Sequence, residues 1–267
     1  MLQDGVKKSS QLWVRQTYLH LEFPDNTRWI AEHPLVVCGD VLLVAGDSGY
    51  VNMPDYKRHP FWRWASEHYE RVIIALGNHE FYQYADVADF PDGLVGEIFP
   101  NVHYYYNNVV SMGDVDIIVS TLWARISPEN MYYTEHGVND FYRIRYNGHR
   151  LSATDFNAEH ERCLRFLKSA VENSRARTKI VLTHHVPTEL CTSPEFRGSL
   201  INGAFTVELG NYIANTDIDY WVYGHSHRNI DVEIGGTKII SNQLGYISHG
   251  EYLKNGFMPD KWFEVRG

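Results

Sequence analysis

Four short stretches of this sequence place potential metal ligands directly after apolar runs. Gly224-His225-Ser226-His227 follows Tyr220 to Tyr223, and its alternating imidazoles can face two adjacent cations from one turn. Gly77-Asn78-His79-Glu80 follows Val72 to Leu76 and sets an amide oxygen, an imidazole and a carboxylate on one loop. Thr183-His184-His185 closes the run Lys179 to Thr183, and Gly46-Asp47 closes Val41 to Ala45, where the small Gly46 permits a tight exit and the carboxylate can bridge two cations. A lone Gly-Asp or a lone His at such a place is ordinarily turn chemistry. Similar polar exits repeated after separate buried runs are not explained by turns. Imidazole nitrogen, carboxylate and amide oxygen together suit manganese, iron or zinc.

Holding such groups together requires stiff elements that end at a common place. Leu12 to Leu19, Val41 to Ala45, Val72 to Leu76, Val115 to Ser120, Lys179 to Thr183, Tyr220 to Tyr223 and Thr237 to Ser241 are short, rich in Val, Ile and Leu, and read as buried strands. Phe61, Ala65 and His68 recur at helical spacing before the third of these. Phe156, His160, Cys163, Leu164, Leu167 and Val171 form the apolar stripe of a longer helix, with Thr154 and Asp155 as its expected caps. Strands alternating with helices predict an α/β domain with layered sheet, whose ligand-bearing loops gather where strands end.

Composition bounds the function. At 267 residues and 44% hydrophobic content the chain can fill one large core, and no linker-like run divides it, so one domain over 1–267 is expected. A formal charge of −9 gives no electrostatic footprint for general nucleic-acid binding. Three widely spaced cysteines without a CxxC pair suggest neither a disulfide framework nor a thiolate zinc site, and fit a reducing cytoplasm. No run reaches membrane-spanning length, and Lys7 and Lys8 are followed by no apolar signal segment, so neither a membrane nor an export role is expected.

The four motifs occur in the order seen in calcineurin-like metallophosphoesterases, and the resemblance spans nearly the whole chain. Leu19-His20-Leu21-Glu22-Phe23 resembles the family's opening motif, ordinarily Asp-x-His, while Ser120-Thr121-Leu122-Trp123 and Asn242-Gln243-Leu244-Gly245-Tyr246 are weaker echoes of one bacterial branch. The resemblance implies a layered sandwich of two mixed β-sheets flanked by helices. It implies two divalent or mixed-valence transition-metal ions, one held by His20, Asp47 and His227, the other by Asp47, Asn78, His184 and His225. His79 resembles the residue that approaches the leaving-group oxygen in the family, and Glu80 is expected to orient His79 or its loop.

Position 18, where the family places a carboxylate ligand of the first ion, is Tyr18. Ionising a phenol with a reference pKa near 10 is costly without a strong cation beside it. Three outcomes are open: a weakened first site completed by water, a site using Tyr18 or Tyr50 as phenolate, and an empty site. Gly46-Asp47-Ser48-Gly49-Tyr50 resembles the Gly-Asp-x-x-Tyr motif of purple acid phosphatases, whose tyrosinate binds iron, but His20 is retained where those enzymes use that tyrosine. Ordinary packing is the competing account of both tyrosines.

The resemblance implies hydrolysis of a phosphate ester, a small phosphodiester or nucleotide, by metal-activated water; the alternative is a weakened or silent member that binds a phosphorylated ligand or protein partner. The Tyr-rich segment 123–155 is read as a specificity lid. In it Tyr132, Tyr133, Phe141, Tyr142 and Tyr146 are candidates to stack on a base, and Arg125 and Arg143, with Arg197 and Arg228 beyond it, are candidates to meet phosphate.

Overall fold

The computed structural model describes residues 11–266. Along the chain the first sheet is laid down by β1 (Gln11–Thr17), β2 (Val41–Val44), β3 (Arg71–Ala75), β4 (Leu94–Phe99) and β5 (Val102–Tyr106). A second sheet opens with β6 (Asn108–Met112) and β7 (Val115–Ser120). After a small hairpin, β8 (Arg145–Tyr146) and β9 (His149–Arg150), it continues with β10 (Thr178–Thr183), β11 (Tyr220–Val222), β12 (Val232–Ile234) and β13 (Thr237–Ile240). The last strand, β14 (Trp262–Arg266), returns to the edge of the first sheet.

The orders are β14-β1-β2-β3-β5-β4 and β12-β13-β11-β10-β7-β6. In each sheet four neighbouring strands run parallel and an antiparallel strand closes either edge. This is the expected pair of mixed sheets. The inner faces pack together through Val14, Leu43 and Ile73 from one sheet and Ile117, Ile180 and Val222 from the other. Because successive side chains point to opposite faces, the intervening residues serve the outer layers. Leu42, Val44, Val72 and Ile74 meet the helices α1 (Pro24–Glu32), α2 (Pro54–Arg58) and α3 (Pro60–His68) through Ile30, Tyr56, Phe61 and Trp62. Burial on both faces is why these strands read as unbroken apolar runs rather than alternating ones.

The segment read as a lid has structure of its own: α4 (Met131–Gly137), α5 (Asp140–Arg143) and the hairpin β8-β9. Trp123, Ile126, Val138, Phe141, Ile144 and Leu151 anchor it in the core beneath the second sheet. The helix that follows, α6 (Ala153–Asn173), buries Phe156, His160, Cys163, Leu167 and Val171 as expected. Its cap is Ser152, however, not Thr154. Ser152 Oγ accepts from Asp155 N and the Asp155 carboxylate accepts from Ser152 N, a reciprocal box that stabilises the helix start by about 1 kcal/mol. A one-turn helix, α7 (Gly210–Ala214), precedes β11. No helix among the described residues is long and apolar enough to cross a membrane.

Candidate metal centre

Every polar exit named from the sequence leaves the C-terminal end of a parallel strand: Tyr18 and His20 after β1, Asp47 after β2, Asn78 and His79 after β3, His184 after β10, His225 and His227 after β11. The two sheets therefore deliver their loops to one spot. Close approach there demands glycine. A Cβ on Gly46 would stand 2.5 Å from His184 Nδ1, and one on Gly77 would stand 2.3 Å from Asp47 Oδ1. His20, Asp47, His225 and His227 have φ between 47° and 67°, a left-handed backbone that non-glycine residues rarely adopt and that functional sites retain.

The donors converge in two sets that share Asp47. In one, His184 Nε2 lies 2.8 Å from Asn78 Oδ1, 3.0 Å from His225 Nδ1 and 3.4 Å from Asp47 Oδ1. In the other, His20 Nε2 and His227 Nε2 stand 2.8 Å apart, and Tyr18 Oη is 2.7 Å from the first, 2.9 Å from the second and 2.8 Å from Asp47 Oδ2. One carboxylate oxygen thus faces each set. Neighbouring donors around a cation with bonds of about 2.1 Å lie roughly 3.0–3.4 Å apart, so both sets have near-metal spacing.

Protonation strengthens the fit. His184 Nδ1 donates to Ala45 O at 2.8 Å, leaving a bare lone pair on Nε2 that points at an amide oxygen, a carboxylate and another ring nitrogen. The outer nitrogens of His20 and His227 are likewise engaged, with Glu22 Oε1 at 2.8 Å and Glu251 Oε2 at 2.8 Å, so their Nε2 lone pairs confront each other. Carboxylates or carbonyls behind imidazoles fix the tautomer that ligates metal. Lone pairs gathered on lone pairs repel unless a cation lies among them. Burial lowers His20 to about 4 and also lowers His184 and His225, keeping the rings neutral as ligands must be. Burial works against ionised Asp47, but the surrounding imidazoles, His184 foremost, hold its carboxyl well below the usual range. The residues present fit bound metal: Asp47, His184 and His225 have donor atoms close enough together to hold an ion, and Tyr18, His20 and His227 gather further donors beside Asp47.

His79 lies beside the Asp47 donors and groups with His20 and Glu22, whose donor atoms are also close enough together to hold a cation. Its Nδ1 meets Glu22 Oε1 at 2.6 Å, and its Nε2 is 3.9 Å from Asp47 Oδ2. Burial opposes its charge, yet Asp47 and then Glu22 raise it to about 9, which favours the protonated ring. Glu80 orients the loops and leaves His79 to Glu22: its carboxylate accepts from the backbone N–H of Asp47, Ser48 and Gly77 and from Ser48 Oγ.

Burial, then the charge on Asp47, pushes the Tyr18 hydroxyl well above its ordinary range. Tyr50 lines the cavity and stacks on Tyr82, with no hydrogen bond to any ligand among the described residues. The sequence reading gave no role to Glu22, Glu251 or Asp140. Glu22 had a signal in its place two residues after His20, and the turn that follows β1 brings its carboxylate to His20 Nδ1. Asp140 had none: it accepts from Asn78 Nδ2 at 2.8 Å and from Tyr82 Oη at 2.7 Å across separations of 62 and 58 residues, and so turns the Asn78 carbonyl toward His184.

Above the donors opens a cavity of about 550 Å³. Its aromatic wall consists of Phe23, Tyr50, Tyr82, Phe196, Phe205 and Tyr246. None of the five aromatics proposed from the lid segment lines it: Phe141 is buried in the core, and Tyr132, Tyr133 and Tyr142 face solvent. Of the four arginines proposed for phosphate, Arg143 alone lines the cavity, while Arg125 pairs with Glu161 and Arg228 with Glu195.

Comparison with known proteins places the fold and family of the chain. The family model described as calcineurin-like phosphoesterase matches residues 19–229. A protein of Acanthamoeba polyphaga mimivirus named "Uncharacterized protein L509" is 29% identical over 275 residues, covering 92% of this chain and 94% of that protein. The crystal structure of a phosphopantetheinyl hydrolase from Mycobacterium tuberculosis superposes with a TM-score of 0.68 at 16% identity, over 96% of this chain and 95% of that one, and so shares the fold.

Proposed function

We propose that this chain, which belongs to the calcineurin-like phosphoesterase family, hydrolyses a small phosphate ester at the cavity floor with two metal ions held by the sets that share Asp47. The observation that carries the reading is the convergence of bare acceptor atoms on two centres, one complete with Asp47, Asn78, His184 and His225 and the other bringing His20, Asp47 and His227 to Tyr18. Bound there, manganese, iron or zinc supplies Lewis acidity for the phosphoryl oxygens and acidifies the attacking water.

The chain's own groups do the rest. Asp47 would tie the two sets together at a fixed spacing, and Asn78, His184 and His225 would hold the ion of the second set. His79, protonated and held by Glu22, gives the proton on Nε2 to the leaving oxygen as the phosphorus–oxygen bond breaks. A positioned acid of this kind contributes on the order of a hundredfold to ten-thousandfold in rate. The aromatic wall excludes water from the bound ester and packs its organic part.

Tyr18 takes the fourth corner of the first set, and we assign its oxygen as a phenolate ligand when that set is filled. Its three short contacts support this over a gap filled by water. The phenol proton directed at Asp47 Oδ2 favours a second reading, in which the set stays empty and the protein binds a phosphorylated ligand without turnover.

Protein purified without chelator tests both. Two metal equivalents per chain, a tyrosinate absorption band with iron, and hydrolysis of bis(p-nitrophenyl) phosphate with added manganese are expected. Folded, metal-loaded protein that hydrolyses neither diesters nor monoesters with any of the three metals would overturn the hydrolase reading. The likeness to the mycobacterial structure argues the fold and not the substrate.

A further inference from the structure

The cavity has an uneven charge lining. Asp47, Asp140 and Glu251 contribute carboxylates, and Arg143 is the single Lys or Arg side chain that reaches it from the described residues. Arg143 forms no ion pair with any described carboxylate, unlike Arg125, Arg162 and Arg228. Its backbone is held in α5, where Arg143 N donates to Asn139 O at 3.1 Å and Arg143 O accepts from Tyr84 N at 2.8 Å. Its guanidinium lies over the Tyr82 ring, 5.5 Å from the centroid, and Tyr82 in turn stacks on His79 at 4.3 Å between centroids with 24° between planes. An unpaired guanidinium resting on an aromatic face is pre-organised for an anion.

Its place also selects which anion. The two donor sets lie on the floor beside Asp47, whereas Arg143 sits past His79, the residue assigned to the leaving oxygen. Within a chain of formal charge −9 a free cation at this position offsets the repulsion that a second anionic group would otherwise meet.

We propose that Arg143 binds a second phosphate carried by the leaving group, so that the substrate class is a phosphoanhydride or a phosphoester bearing a further phosphate rather than a singly charged ester. This rests on the phosphoesterase reading for the direction of the leaving group. The remaining organic part of the substrate would pack against apolar lining residues such as Phe196, Ile201 and Phe205.

Binding of ADP and AMP to the manganese-loaded full chain, measured by titration calorimetry, tests the assignment. A charge-assisted, bidentate contact predicts that ADP binds roughly ten- to a hundredfold tighter than AMP. R143A should shrink that preference to within about threefold, R143K should retain part of it, and R143E should reverse it. Wild-type protein that does not prefer ADP, or an R143A variant that keeps the full preference, overturns the proposal; circular dichroism of each variant excludes misfolding as the cause. Hydrolysis of bis(p-nitrophenyl) phosphate by the wild type separates the two readings. Inactive protein whose ADP preference depends on Arg143 removes the hydrolase reading and with it the leaving-group direction, keeping Arg143 only as the site of a second phosphate, and active protein whose preference ignores Arg143 removes this proposal alone.

Discussion

The two candidate donor sets that meet at Asp47 are built alike and finished differently. Each gathers donors from both sheets, but the first takes one imidazole from each sheet with both rings fixed from behind, by Glu22 and Glu251, whereas the second takes both imidazoles from one sheet and has His184 alone fixed, by Ala45 O. The second set ends in Asn78, a short neutral donor turned into place by Asp140. The first ends in Tyr18, whose ring is fully buried and stacks 5.8 Å from His184, so its oxygen arrives on a rigid arm that packing alone would hold there. The difference teaches that a site can keep its shape while its electrostatics change. A carboxylate brings its charge with it, whereas a phenol becomes anionic only when a cation draws off its proton.

The largest effect should come from the residue common to both sets. D47A should empty both, reducing metal from two equivalents to a small fraction of one and slowing diester hydrolysis by about a thousandfold or more. Retention of one full equivalent would show that the sets are independent. H184A and H227A then separate them. Elemental analysis should find H184A missing the ion of the second set and H227A missing the other, with H184A the slower enzyme, because the first set already depends on a costly phenolate.

Substitutions at Tyr18 sharpen the contrast. Y18D should tighten binding at the first set by about ten- to a hundredfold and abolish any tyrosinate band, while removal of the buried ring lowers stability by about 2–4 kcal/mol, read as a reduced denaturation midpoint. Y18F should keep the stability and lose the first ion. A Y18F protein with two tightly held ions would show that the phenol is packing and nothing more.

Asp140 gives a subtler test. D140L removes the acceptor that orients Asn78 and should weaken the second ion by about tenfold, with the first unaffected. The exchange N78D with D140N restores a donor–acceptor pair in reverse and should recover most of that affinity; failure of both outcomes would remove Asp140 from the positioning role. The smallest effect is expected on the fold. Burial raises Cys163 to about 11 and Cys191 to about 12, so both thiols should resist a thiol reagent at pH 8 in the folded chain. Chelation should leave them protected, since the sheets pack around apolar cores that hold no ligands. Rapid labelling after chelation would mean that the ions hold the sheets together.

Much of this architecture was legible from pattern. The apolar runs located β2, β3, β7, β10, β11 and β13 within a residue or so, and the stripe from Phe156 to Val171 located α6. The cap of α6 was misplaced because Ser152, Thr154 and Asp155 are all good cap residues, and only the reciprocal bonds pick out the pair that acts. The aromatic wall was missed for a different reason. Tyr132 and Tyr133 look like binding residues in a tyrosine-rich segment, but the turn of α4 faces them to solvent, while Phe205 reaches the cavity from a loop with no distinguishing pattern and Tyr246 from a stretch that resembles the family without a binding role being legible in it.

The sequence by itself determined which side chains could ligate metal, because a buried strand that ends in Gly-Asp, Gly-Asn-His or Gly-His-Ser-His must present those groups at its tip. It also determined that Tyr18 breaks the pattern. Only the tertiary structure decided that Asp47 faces both sets, that Glu22 and not Glu80 holds His79, and that Arg143 alone among the candidate arginines reaches the cavity. Those facts depend on which atoms meet across separations of tens to hundreds of residues, and the approach is fixed by how two twisted sheets pack, a property that no local spacing encodes.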